Sequence, residues 1–290
     1  MMLQKILRPV AAGVCVVGSV LVCGSALAGN GANFVAYDHH TGEKGETEIK
    51  LYNDVGKTQD GDNYTAQLLE IERALTDQWV VSAYLESHDL SGDGWDFDGF
   101  RLETRYRLFD YGTLFNPVLY VEYVNKKESA LYLREAVGRT DEDEEEGEAP
   151  GHGEDNEREH ELETKLILGH DFSDRLRFGF DWINETNLKT GDWEFGYATG
   201  LTYTAFERDE SDKGVGFDVK EVQLGGELYG GLGDSSKGLT LDGSKTEQYA
   251  GINLKTEFAN GTMFMLGGAF GLTHDSQDAL FRAMVGIEFN

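Results

Sequence analysis

Leu280-Phe-Arg-Ala-Met-Val-Gly-Ile-Glu-Phe289 is the stretch whose reading decides the fold. In an extended chain, successive side chains point to opposite faces. Phe281, Ala283, Val285, Ile287 and Phe289 therefore share one face, and Arg282, Met284, Gly286 and Glu288 share the other. One side is continuously apolar and the other carries charge. Such a strand needs an apolar medium on one side and a polar one on the other.

The same period of two recurs along the chain. Trp79-Val-Val-Ser-Ala-Tyr-Leu-Glu86, Phe100-Arg-Leu-Glu-Thr-Arg-Tyr-Arg-Leu108 and Leu176-Arg-Phe-Gly-Phe-Asp-Trp182 are clear cases. About twelve strands are expected, over 45–55, 63–74, 79–88, 99–108, 117–126, 160–170, 175–184, 193–205, 216–229, 246–258, 262–273 and 280–289. Thr76-Asp77-Gln78, Ser173-Asp174-Arg175 and Asn260-Gly261 read as tight polar turns. They alternate with longer links at 89–98, 127–159, 185–192, 230–245 and 274–279. Segment 206–215 is too long for the short-turn side, which leaves counts of ten or fourteen open. With 37 glycines and 3 prolines the chain favours strands over helices. Pro117 starts a strand and Pro150 falls in a loop, where neither interrupts a ladder.

The N-terminus reads as an export signal. Lys5 and Arg8 precede an apolar run from Val10 to Val22, and Ser25-Ala-Leu-Ala28 offers a small-x-small cleavage pattern. Cleavage is expected near Ala28. Residues 29–44 are then expected as a periplasmic segment, followed by a barrel over 45–290 with a long acidic extracellular loop at about 127–159. Both cysteines, Cys15 and Cys23, lie in the signal, so no disulfide or thiol chemistry is expected beyond it. The remainder holds 53 acidic against 23 basic residues, a formal charge of about −30. That argues against a nucleic-acid partner, because phosphate binding needs a basic surface.

If the apolar faces meet lipid, the charged faces line an interior. Arg101, Glu103, Arg105, Arg107, Glu86, Glu122, Glu161, Glu163, Arg177 and Asp181 are the lumen candidates. Charges facing hydrocarbon are costly, so they must be hydrated or mutually paired. Arg101, Arg105 and Arg107 form a basic ladder beside Glu86 and Glu122, an arrangement that sets a transverse field at a pore constriction. Acidic residues outnumber basic ones on this face, so an open pore should favour cations or neutral solutes. A purely structural ion-pair lining is the alternative, and a soluble β-sandwich is the alternative for the apolar faces.

Three other features bear on chemistry. The acidic run from Asp141 to Glu161, with His152 and His160, reads as a solvated loop, with weak collection of divalent cations as the sharper option. His274 and Ser276 have the spacing of a lipid-hydrolysing pair, but they fall in a loop and Gln277-Asp278 follows. No phosphate loop, thiol centre or zinc motif is present, so no cofactor, metal site or catalytic residue is expected.

The signal, the alternating strands and the ending Arg282-Ala-Met-Val-Gly-Ile-Glu-Phe289 together resemble Gram-negative outer-membrane β-barrel proteins of porin-like type. The resemblance implies an all-β fold: a single transmembrane antiparallel up-and-down barrel with both termini periplasmic. It also implies an assembly signal on Arg282, Ile287 and Phe289, read by the barrel-assembly machinery after escort by periplasmic chaperones. Met284 stands where that signal usually has glycine, and Asn290 extends past the terminal aromatic. Partners implied are outer-membrane lipid, lipopolysaccharide and small solutes or cations. The leading expectation is a porin-like channel for small solutes. A non-conducting structural or ion- and partner-binding barrel is the second, and a lipid-modifying enzyme the third.

Overall fold

The computed structural model describes residues 31–57, 62–90, 92, 94–127, 136–140, 158–209 and 214–290. The strands are β1 (Thr47–Lys57), β2 (Asn63–Thr76), β3 (Trp79–Leu90), β4 (Trp95–Arg107), β5 (Asn116–Lys127), β6 (Arg158–Ser173), β7 (Leu176–Asn187), β8 (Trp193–Glu207), β9 (Val219–Asp234), the two-residue β10 (Gly238–Leu239), β11 (Gln248–Phe258), β12 (Thr262–Gly271) and β13 (Ala279–Phe289). Apart from β10, which only extends the end of β9, these twelve strands pair in chain order, every pair antiparallel. The ring closes where β13 meets β1, with Ile49 opposite Ile287 and Leu51 opposite Val285. Closure leaves no open edge among the long strands, so every ladder has a partner on both sides.

The two ends of the barrel differ in their connections. At one end lie the tight turns 77–78 and 174–175, and at the other the links 128–157, 188–192 and 272–278. Connections 108–115, from β4 to β5, and 208–218, from β8 to β9, are long although they belong to the short-turn end. The strand count is therefore twelve, and the anomaly at 206–215 is a real long turn rather than a missed strand.

The parity read from the sequence separates outside from inside. On β4, Leu102 and Tyr106 face outward and exposed while Glu103 and Arg105 are buried. On β13, Phe281, Val285 and Ile287 are exposed and Arg282 and Met284 are buried. Leu85, Leu102, Ile252 and Leu266 are each more than half exposed, on an outer wall far more apolar than soluble proteins tolerate. Aromatics such as Trp79, Trp95, Trp193 and Tyr203 stand exposed near strand ends, as interfacial girdles do.

Residues 29–44 are expected from the sequence as a segment set apart from the barrel. Over 31–42 the chain instead packs inside it, where Ala32, Phe34, Val35, Ala36, Asp38 and His39 are buried, and then turns through the exposed Glu43 and Lys44 into β1. The stretch lacks a hydrophobic period and reads as a polar leader. Its docking depends on side chains of strands far away in sequence.

Candidate functional site in the barrel lumen

The inner face of the barrel is built from charged pairs. Arg101 Nε lies 2.6 Å from Glu86 and its Nη1 3.2 Å from Glu122. Arg105 pairs with Glu72 and, at 2.6 Å, with Glu103. Lys50 meets Glu48 at 2.6 Å and Glu70 at 3.3 Å. Lys165 meets Glu163 at 3.2 Å. Arg282 forms a two-pronged pair with Asp54, both bonds 2.7 Å. Glu122, Glu163 and Asp181 are 0 % exposed, so at their level the interior is filled rather than open to bulk water.

The N-terminal strap, residues 31–46, supplies much of that filling. From Phe34 to Tyr37 its amides are held by carboxylates of the wall, and only where it enters β1 does it meet strand backbone, Gly45 N donating to Ala74 O at 2.9 Å. Phe34 N donates to Glu227 Oε1 at 2.6 Å, and Val35 N and Ala36 N donate to Oε2 at 3.0 and 3.1 Å. Three successive N–H groups converging on one carboxylate make a charge-assisted clamp. Asn253 Nδ2 donates to the same carboxylate at 2.9 Å. Tyr37 N donates to Asp181 at 2.8 Å. Asp38 faces Arg177 at 3.6 Å. The Tyr37 ring lies beneath Arg105 at 4.9 Å and Lys165 at 5.0 Å, two cation–π contacts in a desolvated setting.

The wall is notched to receive this strap. Gly179 lies against the Tyr37 carbonyl oxygen, Gly225 against the Ala32 carbonyl oxygen, and Gly169 against His39; a Cβ at any of the three would collide. Close backbone approach is one of the positional meanings of glycine in a strand.

Further down, Thr41 Oγ1 donates to the Asp77 carbonyl at 2.7 Å and Arg107 Nη2 donates to the same oxygen at 2.7 Å. Glu46, where the strap turns into β1, has its carboxyl pushed up to about 8 by burial, with Glu48 adding like-charge repulsion.

A second inward segment lies toward the long-loop end. Gly138 N donates to Phe195 O and Gly233 N to Gly138 O, both at 3.1 Å. Thr140 Oγ1 donates to Asp275 at 2.6 Å. Residues 136–140 thus add an edge over β8 and β9 on the inner side.

No protein-family model matches the sequence, and no curated protein does. Among solved structures, an outer-membrane channel from Pseudomonas putida F1 superposes over 87 % of this chain and 98 % of its own, with a TM-score of 0.51 at 11 % identity. The chain has the fold of a Gram-negative outer-membrane β-barrel. The KdgM porin is similar over 84 % of this chain and 99 % of its own (TM-score 0.47, 10 % identity). The translocator domain of the autotransporter NalP from Neisseria meningitidis is similar over 87 % and 90 % (TM-score 0.47, 14 % identity).

Within this barrel the ten lumen candidates, Arg101, Glu103, Arg105, Arg107, Glu86, Glu122, Glu161, Glu163, Arg177 and Asp181, are all buried. The basic ladder on β4 lies directly against its acidic neighbours. Arg101 and Arg105 are each neutralised by adjacent glutamates, and Arg107 turns to the carbonyls of Phe109 and Asp77. Of the assembly-signal residues, Ile287 faces outward, Phe289 is half-buried at the strand end, and Arg282 points inward to Asp54.

Ser276 Oγ is tied to the backbone of Gln248 and to Thr273, whereas His274 is fully exposed and meets Asp275. The two are not joined as a nucleophile and its base. The acidic run 141–157, with His152, lies outside the described residues. His160 is described, and its Nδ1 is 2.6 Å from the Tyr123 hydroxyl.

Parity identified the wall but missed Glu227 as a clamp, and missed Tyr37, His39, His40 and Asp171 altogether. One signal was available. Gly169, Gly179, Gly200 and Gly225 fall on the inner parity of four successive strands, where a lumen lining would otherwise carry side chains.

Proposed function

We propose that this protein is a porin-like outer-membrane channel for small solutes, held narrow by its own N-terminal strap. The observation that carries this reading is the strap's mode of attachment. Its stretch 32–41 occupies the lumen through Glu227, Asp181 and Asp171 without joining the sheet, so that stretch can leave while every barrel ladder stays intact. A barrel whose only task is structural has no need of a separable filling.

Cation preference follows from the lining. Buried carboxylates outnumber buried lysines and arginines by seventeen to eight among the described residues, so the lumen potential is negative once hydrated. The reading also takes the signal to be cleaved near Ala28, the short turns to face the periplasm and the 127–159 loop to face outward. Insertion would use the barrel-assembly machinery acting on the β13 ending, with lipopolysaccharide and lipid around the wall.

The test is single-channel recording in planar bilayers with protein lacking residues 1–28, compared with a form that also lacks 29–41. Small cation-selective steps are expected from the first and larger ones from the second. Silence from both, with folded barrels confirmed by heat-modifiable electrophoretic mobility, sinks the channel. That result would favour the second reading, a closed structural barrel, which the complete burial of Glu122, Glu163 and Asp181 supports.

A further inference from the structure

At the short-turn end of the lumen, three successive strap residues bring metal-ligating atoms together. One ligand atom from each of Asp38, His39 and His40 lies within 4.8 Å of the other two. The two imidazole rings stand 4.7 Å apart, centroid to centroid. Asp171, on the β6 wall, reaches both: its Oδ2 is 3.1 Å from His39 Nε2 and its Oδ1 is 3.0 Å from His40 Nε2.

An ionised carboxylate only accepts hydrogen bonds, so each Nε2 must be the protonated nitrogen. In the neutral ring the lone pair then lies on Nδ1. His39 Nδ1 is buried and has no hydrogen-bond partner among the described residues. An orphaned buried acceptor is a standing cost unless something binds it. A carboxylate on one imidazole nitrogen and a vacant lone pair on the other is how proteins orient metal-ligating histidines.

We propose that Asp38, His39 and His40 bind a divalent transition-metal ion of the zinc or copper class, with Asp171 orienting both imidazoles. Two imidazoles and a carboxylate suit these borderline metals, whereas calcium and magnesium prefer all-oxygen sets. Asp171 and the His40 side chain are 31 % and 15 % exposed, which gives an entry route from the short-turn end. A bound metal withdraws electron density from each ring and makes Nε2–H a stronger donor to Asp171. Occupancy would therefore fasten the strap to the wall. The effect on conduction rests on the channel reading; the binding itself does not.

The test uses untagged, detergent-folded protein, titrated with Zn2+ by calorimetry and with Cu2+ by electron paramagnetic resonance. One equivalent should bind, with two nitrogen couplings in the Cu2+ spectrum. The His39→Gln/His40→Gln double variant should lose both, and His152→Gln/His160→Gln should keep them. Asp171→Asn, which keeps all three ligands, should weaken binding by about tenfold to a hundredfold and covers the case of a double variant that fails to fold. Absence of Zn2+ binding at micromolar concentrations overturns the site. So does wild-type affinity in the double variant, or loss of binding only when His152 and His160 are changed. In bilayers, Zn2+ should lower the conductance of the wild type but not of the double variant. Binding without that effect would count against the strap as the element that narrows the channel and leave the metal site standing.

Discussion

The carboxylate of Glu227 on β9 accepts the backbone N–H of Phe34 at 2.6 Å, across 193 residues of sequence, and takes the next two amides as well. That clamp holds three successive strap amides on one side chain. Glu227→Ala should therefore release the strap while leaving the barrel closed. Removing the acceptor of charge-assisted bonds costs roughly 1.5–3 kcal/mol per bond. The expected readout is faster proteolysis between residues 31 and 41 with unchanged electrophoretic mobility of the folded barrel. Equal protease resistance in variant and wild type would show that Glu227 does not hold the strap.

Gly179→Ala and Gly225→Ala should act from the other side of the same contact. Each added methyl collides with a strap carbonyl, that of Tyr37 or of Ala32. Backbone cannot yield as a flexible side-chain tip does, so the strap must shift. Higher channel conductance is expected from both variants. Gly226→Ala, at a position where nothing lies within 4 Å of the added Cβ, serves as the control and should match the wild type.

Arg101 stands between Glu86 and Glu122. Arg101→Met leaves two buried carboxylates without their cation, a change that typically costs about 3–5 kcal/mol. Urea unfolding in micelles, followed by tryptophan fluorescence, should show that loss. Adding Glu86→Gln and Glu122→Gln should recover most of it, because the penalty belongs to the orphaned charges. No recovery in the triple variant would mean that the arginine acts through packing instead.

The strap's lower end should respond to pH through Glu46. Its folded-state pKa is raised from 4.5 to about 8, first by burial and then by Glu48. The folded state therefore holds a proton that the unfolded state releases, so this group's contribution to stability falls as pH rises from about 4.5 to about 8. Below that window the contribution is fully present. Glu46→Gln should flatten the dependence and match wild-type behaviour at low pH. A wild-type unfolding midpoint that rises across this window, and does so equally in the variant, would contradict the assignment.

The β13 ending offers an assembly prediction. Phe289→Ala should lower the yield of folded barrel in outer membranes, while in detergent the same chain should fold nearly as well as wild type. Parallel losses in both settings would point to stability rather than to recognition by the assembly machinery.

What could be read in the chain, and what could not, separates by range. Alternation is local: Leu176, Phe178 and Phe180 announce their outer face within five residues, and the Thr76–Gln78 and Ser173–Arg175 turns announce their hairpins. The closing pair of Ile49 with Ile287 obeys the same parity, which fixes the faces that match when a barrel joins its ends. The strap had no such signature. Asn33, Asp38, His39 and His40 look like a polar leader, because nothing in a period of two or 3.6 marks a segment stabilised by other strands' side chains.

The sequence by itself thus determined the barrel, its inside and outside, and the charges of its lining. These follow from the pleat, which sends alternate side chains to opposite media wherever the strand is placed. Only the tertiary structure decided that the lumen is occupied, that Glu227 grips Phe34 to Ala36, and that Asp171 gathers His39 and His40. Those contacts exist because the register of β6 to β9 aligns an acid or a glycine from each strand along one inner path, an alignment no local stretch contains.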